Sequence, residues 1–409
     1  MLPIFSGDAG AIAHSFAKAP GAASGAVGRG TVRHERPHMD KQLRTFASTL
    51  ACAGVVALCA SPASAALRAV TFVSANVGWV AGDNAIYGTT NGGKTWQRQY
   101  NGRVQFWSLN FVTPSVGFAA GVDPSPGTGV LLGTKDGGRT WTNLGEPKGP
   151  ARQVSFATAL TGFAMAGGSP LTAGTVSERV PPFFGGRLAS TTSGGQLWHI
   201  LDAPELVDST CASNATHMWA AYQAAVLRSD DGGDTFSNVL SPLIDTKRVW
   251  YATIQCSGSD VAWVQFAGTQ VGDQRPYVVL RTADDGHTWQ AVLANKKTTD
   301  AYPKLDPTYA DGPGPWPGPF SAVDANSAFF LGVCPQCGAR GAVSITGTID
   351  AGKTWQAVAT VPDVTAAGPL AISFSDAQHG WVVGSSAQGA PVIDVTADGG
   401  LTWTKQSIK

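Results

Sequence analysis

The chain has 409 residues, 28 basic and 28 acidic side chains, 43% hydrophobic residues and only 14% charged ones. That length and apolar content suffice for a large core, and the balanced charge excludes nucleic acid or an anionic membrane surface as an electrostatically driven partner. Fifty glycines and 25 prolines run throughout, which excludes long helices and suits many short strands joined by tight turns, so an all-β fold is expected.

Residues 1–38 are rich in Gly and Ala without periodicity and read as a disordered extension ahead of a true start at Met39. Residues 39–65 read as a secretory signal: Lys41 and Arg44 form the charged end, residues 46–60 the apolar stretch, and Ala63-Ser64-Ala65 the cleavage site. The apolar stretch is shorter than the roughly 20 residues a spanning helix needs. Neither Cys52 nor Cys59 within it has a lipoprotein context. Cleavage after Ala65 and a periplasmic or secreted location are expected. Beyond that point 22 basic and 25 acidic groups remain, with four cysteines, Cys211, Cys256, Cys334 and Cys337. An even number in an oxidising compartment predicts disulfides.

One eight-residue segment then occurs seven times, starting at Thr89, Thr134, Thr191, Ser229, Thr282, Thr348 and Thr396 and ending in an aromatic each time. The first reads Thr-Thr-Asn-Gly-Gly-Lys-Thr-Trp. Its third residue is Asn91, Asp136, Ser193, Asp231, Asp284, Asp350 or Asp398, and the closing aromatics are Trp96, Trp141, Trp198, Phe236, Trp289, Trp355 and Trp403. An Asp or Asn that accepts turn amides, a Gly that takes positive φ, and a Trp that folds back over the loop make a self-fastened hairpin corner, which assigns these carboxylates to structure. The corner with Ser193 and Leu197 and the corner ending in Phe236 are expected to be less firmly tied. Each corner follows a Gly-aromatic strand such as Gly78-Trp79 or Gly380-Trp381 and a short alternating strand such as Leu109-Asn110-Phe111. Four strands per repeat predict a seven-bladed β-propeller of four-stranded antiparallel blades over residues 66–409, with no strand exchanged at the closure.

The corner segment resembles the Asp-box, or BNR, repeat of sialidase-type propellers. Coupled to the preceding Gly-Trp-x-x-Gly, as in residues 78–82 and 89–96, it resembles more closely the photosystem II stability/assembly-factor-like propellers. The likeness covers residues 67–409. It implies a non-enzymatic binding or assembly scaffold that holds a protein partner, membrane-associated in the photosynthetic members; a glycan is the other ligand class that the aromatic stretch described below would suit. A monomer without cofactor is expected.

The alternative is a sialidase-like glycoside hydrolase. Such an enzyme resembles this fold but carries an Arg-Ile-Pro segment and a Tyr nucleophile activated by Glu. No Arg-Ile-Pro occurs, and beyond residue 65 the only glutamates are Glu146, Glu178 and Glu205. Asp273, Asp306 and Asp311 are the aspartates that structure explains least and would serve a two-carboxylate mechanism. His199, His217, His287 and His379 show no metal-ligand spacing, so no metal is expected. Cys334-Pro-Gln-Cys337 has a redox or half-zinc spacing but stands alone between two strands, where a local disulfide is expected. Cys211 and Cys256 are expected to bond to each other, on the reading that both replace the inner-strand aromatic held elsewhere by Phe72, Phe111, Phe156 and Phe374.

Every long insertion is expected on one face, opposite the corners: 122–129, 168–186, 269–276, 295–319 and 333–341. The longest carries Tyr302, Tyr309 and Trp316 with Lys304, Asp306 and Asp311. With Arg275 on a neighbouring loop they form the candidate binding patch, aromatic anchors with a polar surround. The competing reading of this stretch is Pro-rich packing over the channel mouth.

Overall fold

The computed structural model describes residues 66–408 apart from 126, 148, 168, 171–182, 185, 204–206, 241–248 and 298–308. The expected signal segment and extension lie outside the described residues. Six sheets of four to six strands form a β-propeller, with a separate two-stranded pair at Ser169–Pro170 and Phe183–Phe184.

The seven four-stranded blades predicted from the repeats are thus corrected to six blades carrying seven corners. The reason is one strand. Gln97–Phe111 is 15 residues long and pairs with Gly78–Thr89 through its first part and with Gly117–Asp123 through its second. The outer strand of the first repeat therefore continues as the inner strand of the next, and one six-stranded sheet runs from Leu67–Phe72 to Thr142–Asn143. The second blade runs from Ala151–Phe156 to His199–Ile200, the third from Ser209–Ala212 to Ser237–Asn238, and the fourth from Val249–Ser257 to Gln290–Ala294 with Ala310–Asp311 added in parallel. The fifth extends from Trp316–Ala322 to Ala359–Val361 and the sixth from Ala371–Phe374 to Thr404–Gln406. The last strand stays in its own blade, and Leu67–Phe72 lies against Ala371–Phe374, so the ring closes through side chains without strand exchange.

Six junctions join the six blades, and each has the same fastening. A polar side chain on one inner strand accepts the backbone N–H of the next: Asn110 from Phe156 (2.9 Å), Ser155 from Ala212 (2.8 Å), Gln255 from Ala322 (2.8 Å), Ser321 from Phe374 (3.0 Å) and Ser373 from Phe72 (3.0 Å). At the remaining junction the Cys256 amide approaches Cys211 Sγ at 3.0 Å, and the two cysteines form a disulfide. The bond is as expected, but the two cysteines do not occupy the same inner-strand position. Cys211 pairs with Trp219, the register of Asn110 with Phe118 and Ser155 with Phe163, so it occupies the polar clasp position. Cys256 pairs with Ala262 and alone occupies the aromatic position. The bridge is a clasp made covalent.

The aromatic position explains the Gly-aromatic motif. Phe72, Phe111, Phe156 and Phe374 stack on the second-strand aromatics of the preceding repeat, Trp381, Trp79, Phe118 and Phe329, with centroids 3.4 to 3.7 Å apart. Three of them receive the edge of their own corner's Trp96, Trp141 or Trp198. Each of the four also lies flat over the glycine paired with it, Gly78, Gly117, Gly162 or Gly380, where a Cβ would be driven into the ring. Where the inner residue is Ala212, Cys256 or Ala322, the partner has a side chain: Met218, Ala262 or Ala328.

In all seven corners the last glycine of the turn donates to the leading hydroxyl, as Gly93 does to Thr89 and Gly138 to Thr134. Asp136, Asp231, Asp284, Asp350 and Asp398 each accept both the amide and the hydroxyl of the Thr four residues on. In the third corner Ser193 accepts only the Leu197 amide, so a bond is lost as expected. The corner ending in Phe236 keeps its full Asp231–Thr235 pair but lacks the indole N–H that Trp198, Trp355 and Trp403 donate to the last glycine carbonyl of their own corners.

Two stability outcomes follow from these contacts. Gly117→Ala is expected to cost about 1–3 kcal/mol by overpacking against Phe111, whereas Ala328→Gly, in a repeat without the ring, costs about 1 kcal/mol or less; urea unfolding of both variants checks the contrast. Cys211→Ser forfeits about 2–4 kcal/mol of cross-link yet leaves a hydroxyl to accept the Cys256 amide, so Cys211→Ala is expected to unfold at lower denaturant than Cys211→Ser by about 1 kcal/mol.

Candidate functional site

The long turns 122–129, 269–276 and 333–341 join second to third strands, and residues 295–315 link the fourth blade to the fifth. Most of the insertion at 168–186 lies outside the described residues. The candidate patch forms where the 269–276 turn meets the interblade link. Val271 is 64% exposed at the tip, while the base of the turn is fastened from below. The Arg275 amide donates to Pro315 O (2.9 Å), and Asn295 Nδ2 donates to both Gln274 Oε1 and Pro315 O (3.1 Å each). Trp316 Nε1 donates to Asp273 O at 2.9 Å, and the Arg275 guanidinium lies 4.4 Å from the centroid of the Trp316 ring. Arg275 is buried and hydrogen-bonds Tyr251, and burial draws its pKa down while the tyrosine opposes that shift. Burial pushes the Tyr251 phenol up to about 12, so the pair is a neutral phenol and a guanidinium throughout the physiological range. Tyr277, also raised by burial, donates to Gly314 O at 3.0 Å.

Of the residues singled out from sequence, Arg275 and Trp316 are brought together as a stacked pair. Tyr309 is 5% exposed and packs in the core of the third and fourth blades, so it supports the patch from inside and offers no exposed anchor. Tyr302, Lys304 and Asp306 lie outside the described residues. Asp273 and Asp311 are exposed, and Asp311 accepts the Lys296 amide. The supporting Tyr251, Tyr277 and Asn295 are not legible as site residues, because each sits at a strand end or boundary in an otherwise ordinary strand sequence. The Cys334–Cys337 disulfide is formed, and its loop adjoins the patch, since Val333 pairs with Trp316 and the Ser344 hydroxyl donates to Pro313 O.

The arrangement presents a half-buried indole, backed by a cation and braced at its N–H, beside an exposed apolar tip. The Arg275 and Trp316 side chains are thereby preordered, so little of their freedom would be lost if a ligand bound there. Among the described residues, no three of His, Cys, Asp and Glu gather in a way that could hold a metal ion. One carboxyl has the raised pKa a general acid requires, Asp394 at about 6, owing first to burial. It is 0% exposed, accepts the Asp363 amide at 3.1 Å, and lies within the sixth blade, closed to any substrate.

No protein-family model and no curated protein sequence matches the chain. Among solved structures it is similar to an ancestral GH74 enzyme (13% identity, 84% of this chain and 46% of that one, TM-score 0.48) and to the GH74 xyloglucanase from Xanthomonas campestris (12%, 73% and 44%, 0.48). It is also similar to the RRP9 WD40 repeats (9%, 76% and 82%, 0.47). The chain spans less than half the length of the two GH74 proteins. These are likenesses of chain path, and no activity or partner passes from them to this protein.

The carboxyls titrate in two opposed windows. Corner Asp136, Asp231, Asp284 and Asp350 are held near 2 by their threonine hydrogen bonds. A lowered folded-state value means stability present above pH about 4 and lost as pH falls toward 2. Asp394 is raised, so its contribution is present below pH about 4 and lost as pH rises through about 6. Thermal midpoints measured against pH are expected to fall on both sides, and Asp394→Asn is expected to flatten the upper limb while leaving the acid limb in place.

Proposed function

We propose that this protein is an exported, non-enzymatic scaffold that binds a protein partner through the rim formed by the 269–276 turn, the interblade link and the 333–341 turn. The observation that carries the reading is the Arg275–Trp316 stack, an aromatic anchor fixed by four framework hydrogen bonds next to exposed Val271. Interface energy concentrates on such Trp and Arg anchors. Two disulfides and the signal-like segment 39–65 support folding in an oxidising compartment. In six of the seven Asp-box-like corners the Asp or Asn is engaged within its own turn, which leaves the longer turns of the opposite end as the place for binding. The hydrolase alternative has its accessible carboxylates, Asp273 and Asp311, on the same rim, so one experiment addresses both.

Immobilised protein is exposed to periplasmic extract or culture medium, and bound proteins are quantified for wild type, Trp316→Ala and Val271→Asp, each checked for an unchanged fold by near-UV circular dichroism. Either substitution is expected to lower recovery of the principal partner by about tenfold or more. Undiminished recovery by both folded variants, or turnover of a sialoside or glucan by the wild type, would overturn the reading.

A further inference from the structure

The two disulfides occupy opposite physical situations. Cys211–Cys256 joins adjacent blades across a sequence separation of 45, packed against the largest core cluster. Cys334–Cys337 has a separation of three, at the tip of the hairpin between Ala328–Cys334 and Ala342–Thr348. The ladder of that hairpin runs unbroken from Ala328–Thr348 out to Cys334–Ala342, and the Cys337 amide donates to Cys334 O at 3.2 Å, so backbone bonds already define the turn. A cross-link this short removes little entropy from the unfolded chain. Residues 336–340 are all exposed, Cys337 among them, while Cys334 is half-buried.

We propose that Cys334–Cys337 is a thiol-exchange site, open to low-molecular-weight thiols at Cys337, whereas Cys211–Cys256 is structural. An incoming thiolate attacks Cys337 Sγ along the exposed side, a new S–S bond forms, the Cys334–Cys337 bond breaks, and Cys334 leaves as a thiolate that takes a proton from water. A second thiol displaces Cys337 in the same way. The protein then holds two thiols, the two external thiols have become a disulfide, and those thiols have supplied both electrons. Exposed Arg340, three residues beyond Cys337 in the same turn, adds a positive charge to the loop that an incoming thiolate approaches. Because Val333 pairs with Trp316, exchange occurs at the rim, but the assignment stands whatever that rim binds.

The test is reduction of the native protein by reduced glutathione at neutral pH, with timed quenching by N-ethylmaleimide and peptide mapping. Cys334 and Cys337 are expected to become labelled at least about tenfold faster than Cys211 and Cys256, with a transient glutathione adduct on Cys337 and an almost unchanged melting temperature. Cys334→Ser, which removes the resolving thiol, is expected to accumulate that adduct when treated with oxidised glutathione. Equal resistance of both disulfides in the folded protein, their simultaneous reduction only on unfolding, or an adduct confined to Cys334 in the wild type would overturn the assignment.

Discussion

The hydrogen bond from each inner strand to the next is the interaction on which this fold depends. A propeller blade has two edges, and the inner one faces its neighbours with backbone N–H groups that have no strand to pair with. Here Asn110, Ser155, Gln255, Ser321 and Ser373 each satisfy one such amide of the following blade, and Cys211 does so with a sulfur that goes on to bond covalently. Each clasp is worth about 1 kcal/mol. Their value lies in recurrence at one height around the ring, which sets the register of every blade relative to the next.

That common register carries the aromatic layer above it. Once the clasp fixes a pair of inner strands, the following residue lies over the preceding repeat's second-strand aromatic, and a phenyl ring there demands glycine on its own second strand. The corners are held from the preceding repeat at the same time. Trp79 and Gln99 both donate to Gly137 O, Trp381 and Gln406 to Gly92 O, and Arg228 reaches the equivalent Asp285 O. One end of the ring is thereby consumed by structure. Its turns are short, and Asp136, Asp231, Asp284, Asp350 and Asp398 are engaged within their own loops.

The other end is under no such constraint, and its turns lengthen at 269–276 and 333–341. The rim there is still not slack. Tyr251, Tyr277 and Asn295 connect the fourth blade to Arg275 and to the link that ends at Trp316, so both side chains are held from below. The same end holds the Cys334–Cys337 bond, which the hairpin ladder does not need.

The repeats, the all-β class and the self-fastened corners were legible in the sequence, because each rests on local chemistry: a hydroxyl, a carboxylate and a glycine at fixed spacing. The pairing of Cys211 with Cys256 was also expected, but from a column that only Cys256 occupies. Blade number was not legible. Whether Gln97–Phe111 breaks between two sheets or runs through depends on pairing with strands on both sides, and no residue in its sequence announces that. The clasp position of Cys211 was hidden for a related reason, since a one-residue offset in strand register reverses the face a side chain occupies. Tyr309 reads as an anchor because it stands in a polar, Pro-rich stretch, yet the added strand Ala310–Asp311 turns it into the core. Spacing thus determined which turns form, because each corner closes on its own residues, while the assembly of blades decided strand register, how Cys211 meets Cys256, and the burial of Tyr309.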